Sequence, residues 1–141
     1  MPTRQQIDHA INEHFEAWNA QDQARWSANF ADDIVFEDPY GGLMKEGPLA
    51  VRQSWENSFK NGDVWTLECL LKQVCLDQAA LVVRSTGTFN GQPVVVEGIE
   101  IYTVNNNGKV CHVRTYFNPP EGVELDPYFS HQSPKDVAPA D

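Results

Sequence analysis

Residues 30–47 decide the fold, and they read Phe-Ala-Asp-Asp-Ile-Val-Phe-Glu-Asp-Pro-Tyr-Gly-Gly-Leu-Met-Lys-Glu-Gly. The apolar residues 34–36 predict a short strand, and the glycines after it predict a loop. Asp38 therefore lies at a strand end, and Pro39 has no backbone N–H to donate to its carboxylate. Two interpretations stay open for Asp38: a general base at the end of a rigid element, or an ordinary Asp-Pro turn.

The composition is that of an acidic chain of 141 residues with a formal net charge of −10. This length predicts one domain with a sizeable core. Ten Lys and Arg against 20 Asp and Glu argue against a nucleic-acid surface, which needs a basic patch, and against an anionic membrane. No apolar run reaches about 18 residues, and the N-terminus has no signal-peptide core. We therefore expect a cytoplasmic protein.

The cysteines are three in number, without C-x-x-C spacing, and are predicted to be buried thiols in a reducing compartment: Cys69, Cys75 and Cys111. Of the four His residues only His112 lies beside a Cys, so no zinc site is predicted. The chain has neither a glycine-rich phosphate loop nor a G-x-S-x-G motif, and no cofactor is expected.

Helical spacing dominates the N-terminal part. Thr3 followed by Gln6 is a capping-box pattern, so a helix is predicted to begin near residues 2–4. Apolar residues recur at helical intervals and place His14 on the inward stripe. That His is either a core residue bonded to a backbone carbonyl or part of a site. Residues 19–22 end this helix and cap a second, short one, which is predicted to carry Ala24, Trp26 and Phe30.

The remainder predicts one more helix and then strands. Gly47-Pro48 opens the third helix, with proline in its first turn. β-branched and aromatic residues then predict strands at 64–74, 79–89, 93–104 and 109–117, with Asn90-Gly91 as a hairpin turn. Helices followed by such strands predict an α+β fold, in which three N-terminal helices pack on a curved, mostly antiparallel sheet. Residues 1–120 are predicted to form one domain, and residues 121–141 a proline-rich, partly disordered tail.

Strand parity separates two faces of the last two strands. One set is neutral apart from Glu100 and is the candidate for the concave side, although parity alone does not place Glu100 inside: Val96, Gly98, Glu100, Tyr102, Val104, Cys111, Val113, Thr115 and Phe117. The opposite set mixes apolar and charged residues, which predicts either a homodimer interface or a solvated face: Ile99, Ile101, His112, Arg114 and Tyr116.

This layout resembles the ketosteroid isomerase-like branch of the nuclear transport factor 2-like (NTF2-like, SnoaL-like) superfamily over residues 7–117. The resemblance rests on these motifs: Phe30-Ala31-Asp32-Asp33, Phe36-Glu37-Asp38-Pro39 with Gly41, Gly47 at the third helix, Asn90-Gly91-Gln92-Pro93 and Gly108-Lys109-Val110. It implies a cone-shaped α+β barrel of the NTF2-like/cystatin-like type, a deep apolar pocket closed by the helices, and a homodimer through the outer sheet face.

The resemblance also implies three catalytic residues. Asp38 matches the family's base, which moves a proton between carbons next to a carbonyl, and Glu100 matches a protonated aspartate that donates to the developing oxyanion. His14 stands where the family has its oxyanion-hole tyrosine, and Phe30 and Trp55 replace two supporting tyrosines. The implied substrate-binding residues are Trp18, Phe30, Trp55, Val83, Ser85, Gly87, Val96, Tyr102, Val113, Thr115 and Phe117.

Three functions follow as hypotheses for a small, mostly apolar, carbonyl-bearing ligand. In the first, a steroid delta-isomerase-like proton transfer, desolvated Glu100 has a raised pKa and donates, with His14 as a second donor. In the second, protonated His14 pairs with a carboxylate and acts as general acid in a dehydratase or hydrolase. In the third, the protein is a dimeric, non-catalytic ligand-binding module, because the family's tyrosine is missing.

Overall fold

The computed structural model describes residues 1–89 and 91–118. Asn90 of the predicted hairpin and the predicted tail at 121–141 lie outside these residues, so their predictions, and the domain boundary at 120, stay predictions. Within the described ranges no helix is both long enough and apolar enough to cross a membrane.

Three helices form where capping and apolar spacing predict them: α1 Arg4–Asn19, α2 Gln23–Ala28 and α3 Gly47–Phe59. The capping box is confirmed, because Thr3 Oγ1 accepts from the Gln6 backbone N–H at 3.1 Å and Gln6 Oε1 accepts from the Thr3 N–H at 2.9 Å. Asp22 caps α2 by accepting from the Arg25 N–H at 3.1 Å.

The prediction that Phe30 belongs to the second helix is wrong. Buried Asn29 ends α2: its amide donates to the Ala10 carbonyl at 2.8 Å, and its own carbonyl accepts from the Val110 N–H at 3.0 Å. Phe30 is thereby the first residue of a strand paired in parallel with Val110. The predicted strand at 34–36 is correspondingly longer and begins at Phe30.

The sheet has six strands: β1 Phe30–Glu37, β2 Lys45–Glu46, β3 Trp65–Cys75, β4 Gln78–Phe89, β5 Gln92–Val104 and β6 Val110–Phe117. Their order is β2-β1-β6-β5-β4-β3; β1 and β6 run parallel, and the other described neighbours run antiparallel. The predicted α+β fold, with helices on a mostly antiparallel sheet, is confirmed, and this sheet is open rather than closed into a barrel.

Two strand glycines allow neighbouring backbones to approach closely. A Cβ on Gly98 of β5 would lie 2.6 Å from the Tyr116 carbonyl oxygen of β6, and one on Gly87 of β4 would lie 2.1 Å from the Val64 oxygen. Only glycine fits such approaches, and glycines inside long strands are typical of sharply bent sheets.

Cross-strand register arranges the inward side chains in rows. One row crosses five strands from β2 to β4: Lys45, Phe36, Val113, Tyr102 and Ala79. The next row crosses β6, β5 and β4: Thr115, Glu100 and Leu81. Asp38 follows the end of β1 and contacts this second row. The helices cover these rows and form the core with them.

The cysteine predictions are wrong in two respects. Cys69 and Cys75 are exposed, because β3 is the edge strand of the sheet. Strand parity predicts that Cys111 shares the face of Val113, but the register shifts there: Val104 pairs with Val110 while Thr103 pairs with His112. Val110 is therefore the buried residue, and Cys111 is only half-buried.

Candidate functional site

Asp38 lies immediately after β1, where β6 holds its side chain. Thr115 Oγ1 donates a hydrogen bond to Asp38 Oδ1. The Tyr40 N–H donates to the Thr115 carbonyl at 2.8 Å, which attaches the chain beyond the cis Asp38–Pro39 peptide to the same residue. Thr115 is buried and Asp38 half-buried. The carboxylate is thus oriented by an element of the sheet and not by its loop alone.

A chain of hydrogen bonds connects the helices to Glu100. The Trp26 indole N–H donates to His14 Nδ1 at 3.1 Å. His14 Nε2 lies 2.9 Å from the Tyr102 hydroxyl oxygen, and that hydroxyl donates to Glu100 Oε1 at 2.5 Å. α1, α2 and β5 each supply at least one member, so the chain depends on the packing of both helices against the sheet.

The donors and acceptors of this chain fix its direction. An indole N–H can only donate, so His14 Nδ1 must accept and the ring proton lies on Nε2. That N–H donates to the Tyr102 oxygen, which leaves the Tyr102 hydrogen for Glu100. Burial lowers the pKa of His14 to about 4, although the charge of Asp38 opposes the shift. His14 is therefore neutral at neutral pH, with both ring nitrogens engaged.

Glu100 is the accessible end of the chain. His14 is 6% and Tyr102 2% exposed, whereas Glu100 is half-buried. Burial raises the pKa of Glu100 to about 7; the Tyr102 hydrogen bond opposes this shift and the charge of Asp38 adds to it. A large fraction of Glu100 is therefore protonated near neutral pH. Because Oε1 accepts from Tyr102, the proton of the neutral form lies on Oε2.

The sheet register brings the two carboxyl groups to one place. Glu100 is the cross-strand partner of Thr115, and Thr115 in turn bonds to Asp38. His14 is linked to Glu100 through Tyr102. The sequence does not predict that Tyr102 bonds to Glu100, although the two residues share strand parity. Nor does it predict the bond from Trp26 to His14, which spans 12 residues.

The other predicted binding residues divide into two groups. Trp18, Phe30 and Trp55 are buried and pack around Trp26 at ring-centroid distances of 4.7–5.4 Å, the first two edge to face and Trp55 tilted. The second group lies on the sheet. Val83 and Val113 are buried, and the other four are half-buried: Ser85, Gly87, Val96 and Phe117. In residues 1–89 and 91–118 no three His, Cys, Asp or Glu side chains are grouped as metal ligands.

The chain resembles known proteins over most of its length. The family model described as SnoaL-like domain matches residues 11–113. A steroid delta-isomerase of Nocardioides simplex is 25% identical over 118 residues, which are 84% of this chain and 94% of that protein.

Solved structures match at a similar level. RV0760c from Mycobacterium tuberculosis, in complex with estradiol-17beta-hemisuccinate, superposes with a TM-score of 0.71 at 25% identity, covering 80% of this chain and 94% of that one. The epoxide hydrolase/cyclase-like enzyme SalBIII, which has a role in pyran ring formation in the polyether salinomycin, superposes with a TM-score of 0.76 at 21% identity, covering 84% and 95%. At that identity the second likeness shows the fold alone.

Proposed function

Because this chain belongs to the SnoaL-like domain family, we propose that it catalyses proton transfer within a small, mostly apolar carbonyl compound, as a steroid delta-isomerase does. The observation that carries the proposal is that Thr115 connects Asp38 to a second carboxyl group: it bonds to Asp38 and is the cross-strand partner of Glu100. The pKa of Glu100 is raised to about 7. Two carboxyl groups in different environments can act as base and acid at one pH.

The reaction begins at Asp38. Its carboxylate, oriented by Thr115, removes a proton from the carbon next to the ligand carbonyl. Negative charge then develops on the carbonyl oxygen, where a preorganised donor lowers the barrier. Neutral Glu100 supplies that donor through its Oε2–H. Asp38 returns the proton to another carbon of the enolate, so the double bond moves and no co-reactant is consumed.

His14 and Tyr102 support Glu100 instead of contacting the ligand. Tyr102 donates to Glu100 Oε1, and His14 donates to Tyr102. The hydrogen-bond chain therefore offers the ligand one donor, the Oε2–H of Glu100. The sequence predicts a second donor, His14, which the chain does not supply. The bond from Trp26 and the low pKa of His14 also disfavour a protonated His14, so the geometry supports proton transfer over general-acid dehydration.

The ligand class follows from the surfaces around the two carboxyl groups. Val83 and Val113 lie in the inward rows next to them, and half-buried Phe117 follows Thr115 on the same face. An apolar surface with few polar groups suits a ring compound bearing one carbonyl. We include in the proposal a homodimer through the outer face of the sheet, where Ile99 is 50% and Tyr116 38% exposed.

The test uses a ring ketone with a β,γ double bond, whose conversion into the conjugated enone is followed by ultraviolet absorbance. We expect Asp38→Asn to lower kcat about 10²- to 10⁴-fold. Glu100→Gln is expected to lower it about 10²- to 10³-fold. Asp32→Asn, an exposed carboxylate of the same strand, is the matched control and should leave the rate unchanged.

Two results would contradict the proposal. One is an isomerisation rate in Asp38→Asn equal to that of the wild type. The other is saturable binding of the ketone, measured by calorimetry, without Asp38-dependent conversion, which would make the protein a ligand-binding module.

A further inference from the structure

Lys45 is a buried lysine that the proposed chemistry does not use. It lies in β2, opposite Phe36 of β1, and is 7% exposed. Within residues 1–89 and 91–118 its Nζ has no hydrogen-bond partner, although the atom is inaccessible to water. Burying an ammonium group without hydrogen bonds is costly, so the charged form of Lys45 needs a negative charge nearby.

Asp38 supplies the compensating charge. Phe36, the cross-strand partner of Lys45, is two residues before Asp38, so the three side chains leave the same face at the same end of the sheet. Burial lowers the pKa of Lys45, while the charge of Asp38 raises it. The charge of the same carboxylate also acts on His14, Glu100 and Tyr102.

The other charged groups on α3, β1 and β2 are paired with one another or with His112, or are exposed to solvent. On α3, Arg52 and Glu56 pair with each other at 3.5 Å and are exposed. On β1, Glu37 lies 2.7 Å from His112, and Asp32 and Asp33 are exposed. Glu46, next to Lys45, is exposed.

Strand order makes the two carboxyl groups unequal with respect to Lys45. Neighbouring strands are about 4.8 Å apart. The order β2-β1-β6-β5 places Lys45 one spacing from the strand that leads to Asp38, and three spacings, about 14 Å, from the strand of Glu100. Coulomb attraction falls with distance, so Lys45 favours the ionised form of Asp38 much more than that of Glu100.

We propose that Lys45 is the positioning residue that holds Asp38 in its ionised form beside the half-buried, protonated carboxyl group of Glu100. This inference deepens the proposed function, since it explains why Asp38 is the base and Glu100 the donor. Like charges close together do not both ionise readily, and a single cation at one side of the pair selects the nearer one.

The experiment is a ¹³C NMR titration of the Asp and Glu carboxyl carbons in the full-length protein. In Lys45→Met we expect the pKa of Asp38 to rise by about one unit and that of Glu100 to rise less, so that the two values move closer together. Lys45→Arg keeps the charge and should preserve the wild-type separation. Arg52→Met removes an exposed cation from α3 and is the matched control.

The titration is independent of turnover, so it separates this inference from the proposed function. If the wild type does not isomerise the ketone but Lys45→Met reduces the pKa separation as expected, the proposed function is contradicted and the role of Lys45 is supported. A folded Lys45→Met protein in which the separation is unchanged, or in which Arg52→Met has an equal effect, would overturn the inference. If Lys45→Met does not fold, Lys45→Gln removes the charge while keeping a polar chain, and the same criteria apply.

Discussion

Tyr102 occupies the middle of the hydrogen-bond chain, and its hydroxyl both accepts from His14 and donates to Glu100. Tyr102→Phe leaves both neighbours without this partner. We expect a loss of about 1–3 kcal/mol in the free energy of unfolding, since buried polar groups become unsatisfied. The pKa of Glu100 should rise above about 7, because the Tyr102 bond lowers it.

Chemical denaturation and a carboxyl titration measure these two effects. Tyr116→Phe, which removes an exposed hydroxyl from β6, is the control and should change neither. A Glu100 pKa that falls in Tyr102→Phe would show that the hydroxyl does not donate to this carboxyl group.

Glu100 also makes the stability of the fold depend on pH. Its folded pKa of about 7 lies above the ordinary value of 4.5, so the folded state binds more protons between these values. Its contribution is complete below about pH 4.5 and is lost as the pH rises through 7. Glu100→Gln cannot ionise, and its amide oxygen still accepts from Tyr102. We therefore expect the Tm of Glu100→Gln, relative to that of the wild type, to be higher at pH 8 than at pH 4.5. The corresponding change in the free energy of unfolding is at most about 3 kcal/mol.

Thermal unfolding across this pH range tests the expectation. Glu97→Gln on the same strand, where the side chain is exposed and bound to Arg84, is the matched control and should show no such trend. A Glu100→Gln protein whose relative Tm falls as the pH rises would show that Glu100 is ionised in the fold.

At the same scale, the sequence predicted where Asp38 and Glu100 lie but not the state of His14. The strand end, a local property of the chain, locates Asp38, whereas parity leaves Glu100 on either face and only the family resemblance turns it inward. The state of His14 depends on Trp26 and Tyr102, and Tyr102 lies 88 residues away. Which nitrogen carries the proton follows only once those partners are known.

At the scale of elements, α1 is joined to the edge strand by the side chains of Asp8, Trp18 and Asn19. Asn19 donates to the Leu67 carbonyl at 2.8 Å and accepts from the Leu67 N–H at 2.9 Å. Asn19→Ala removes both bonds, and we expect a loss of about 1–2 kcal/mol with faster amide hydrogen exchange at Leu67. Asn12→Ala, exposed on α1, is the control. Exchange at Leu67 equal to that of the wild type would show that β3 is held without Asn19.

Element boundaries show which patterns are readable locally. Capping and spacing predicted α1 and α3, whereas β2 has two residues and carries no periodicity. The spacing of Phe30 fits a helix and so predicts it in α2, while the bonds of Asn29 to Ala10 and Val110 end that helix two residues earlier, at Ala28. The register shift at Cys111 has no signal in the sequence of β6 alone.

At the scale of the whole molecule, the outer face of the sheet makes the proposed dimer testable. The apolar row of Leu71, Val82, Ile99 and Tyr116 is bordered by Arg84, which pairs with Glu97 and Glu68. Such a face suits a self-complementary interface of about 1,200–2,000 Å². Ile99→Asp is expected to shift the protein to a monomer in sedimentation analysis.

Leu49→Asp places the same charge on an exposed apolar position of α3 and should leave the association unchanged. A wild-type protein that sediments as a monomer at every concentration would contradict the dimer.

The one-way direction of the Trp26–His14–Tyr102–Glu100 chain has a consequence for proton conduction. A hydrogen-bonded wire conducts a proton only if each member can pass one on and receive another. The indole of Trp26 can donate but cannot accept, and it stands at the buried end. A proton therefore cannot pass from Glu100 through Tyr102 and His14 to Trp26 in the interior. Every proton that Glu100 gains or loses must pass through its exposed side, and a ligand seated there would isolate the acid from bulk water for the duration of a catalytic cycle.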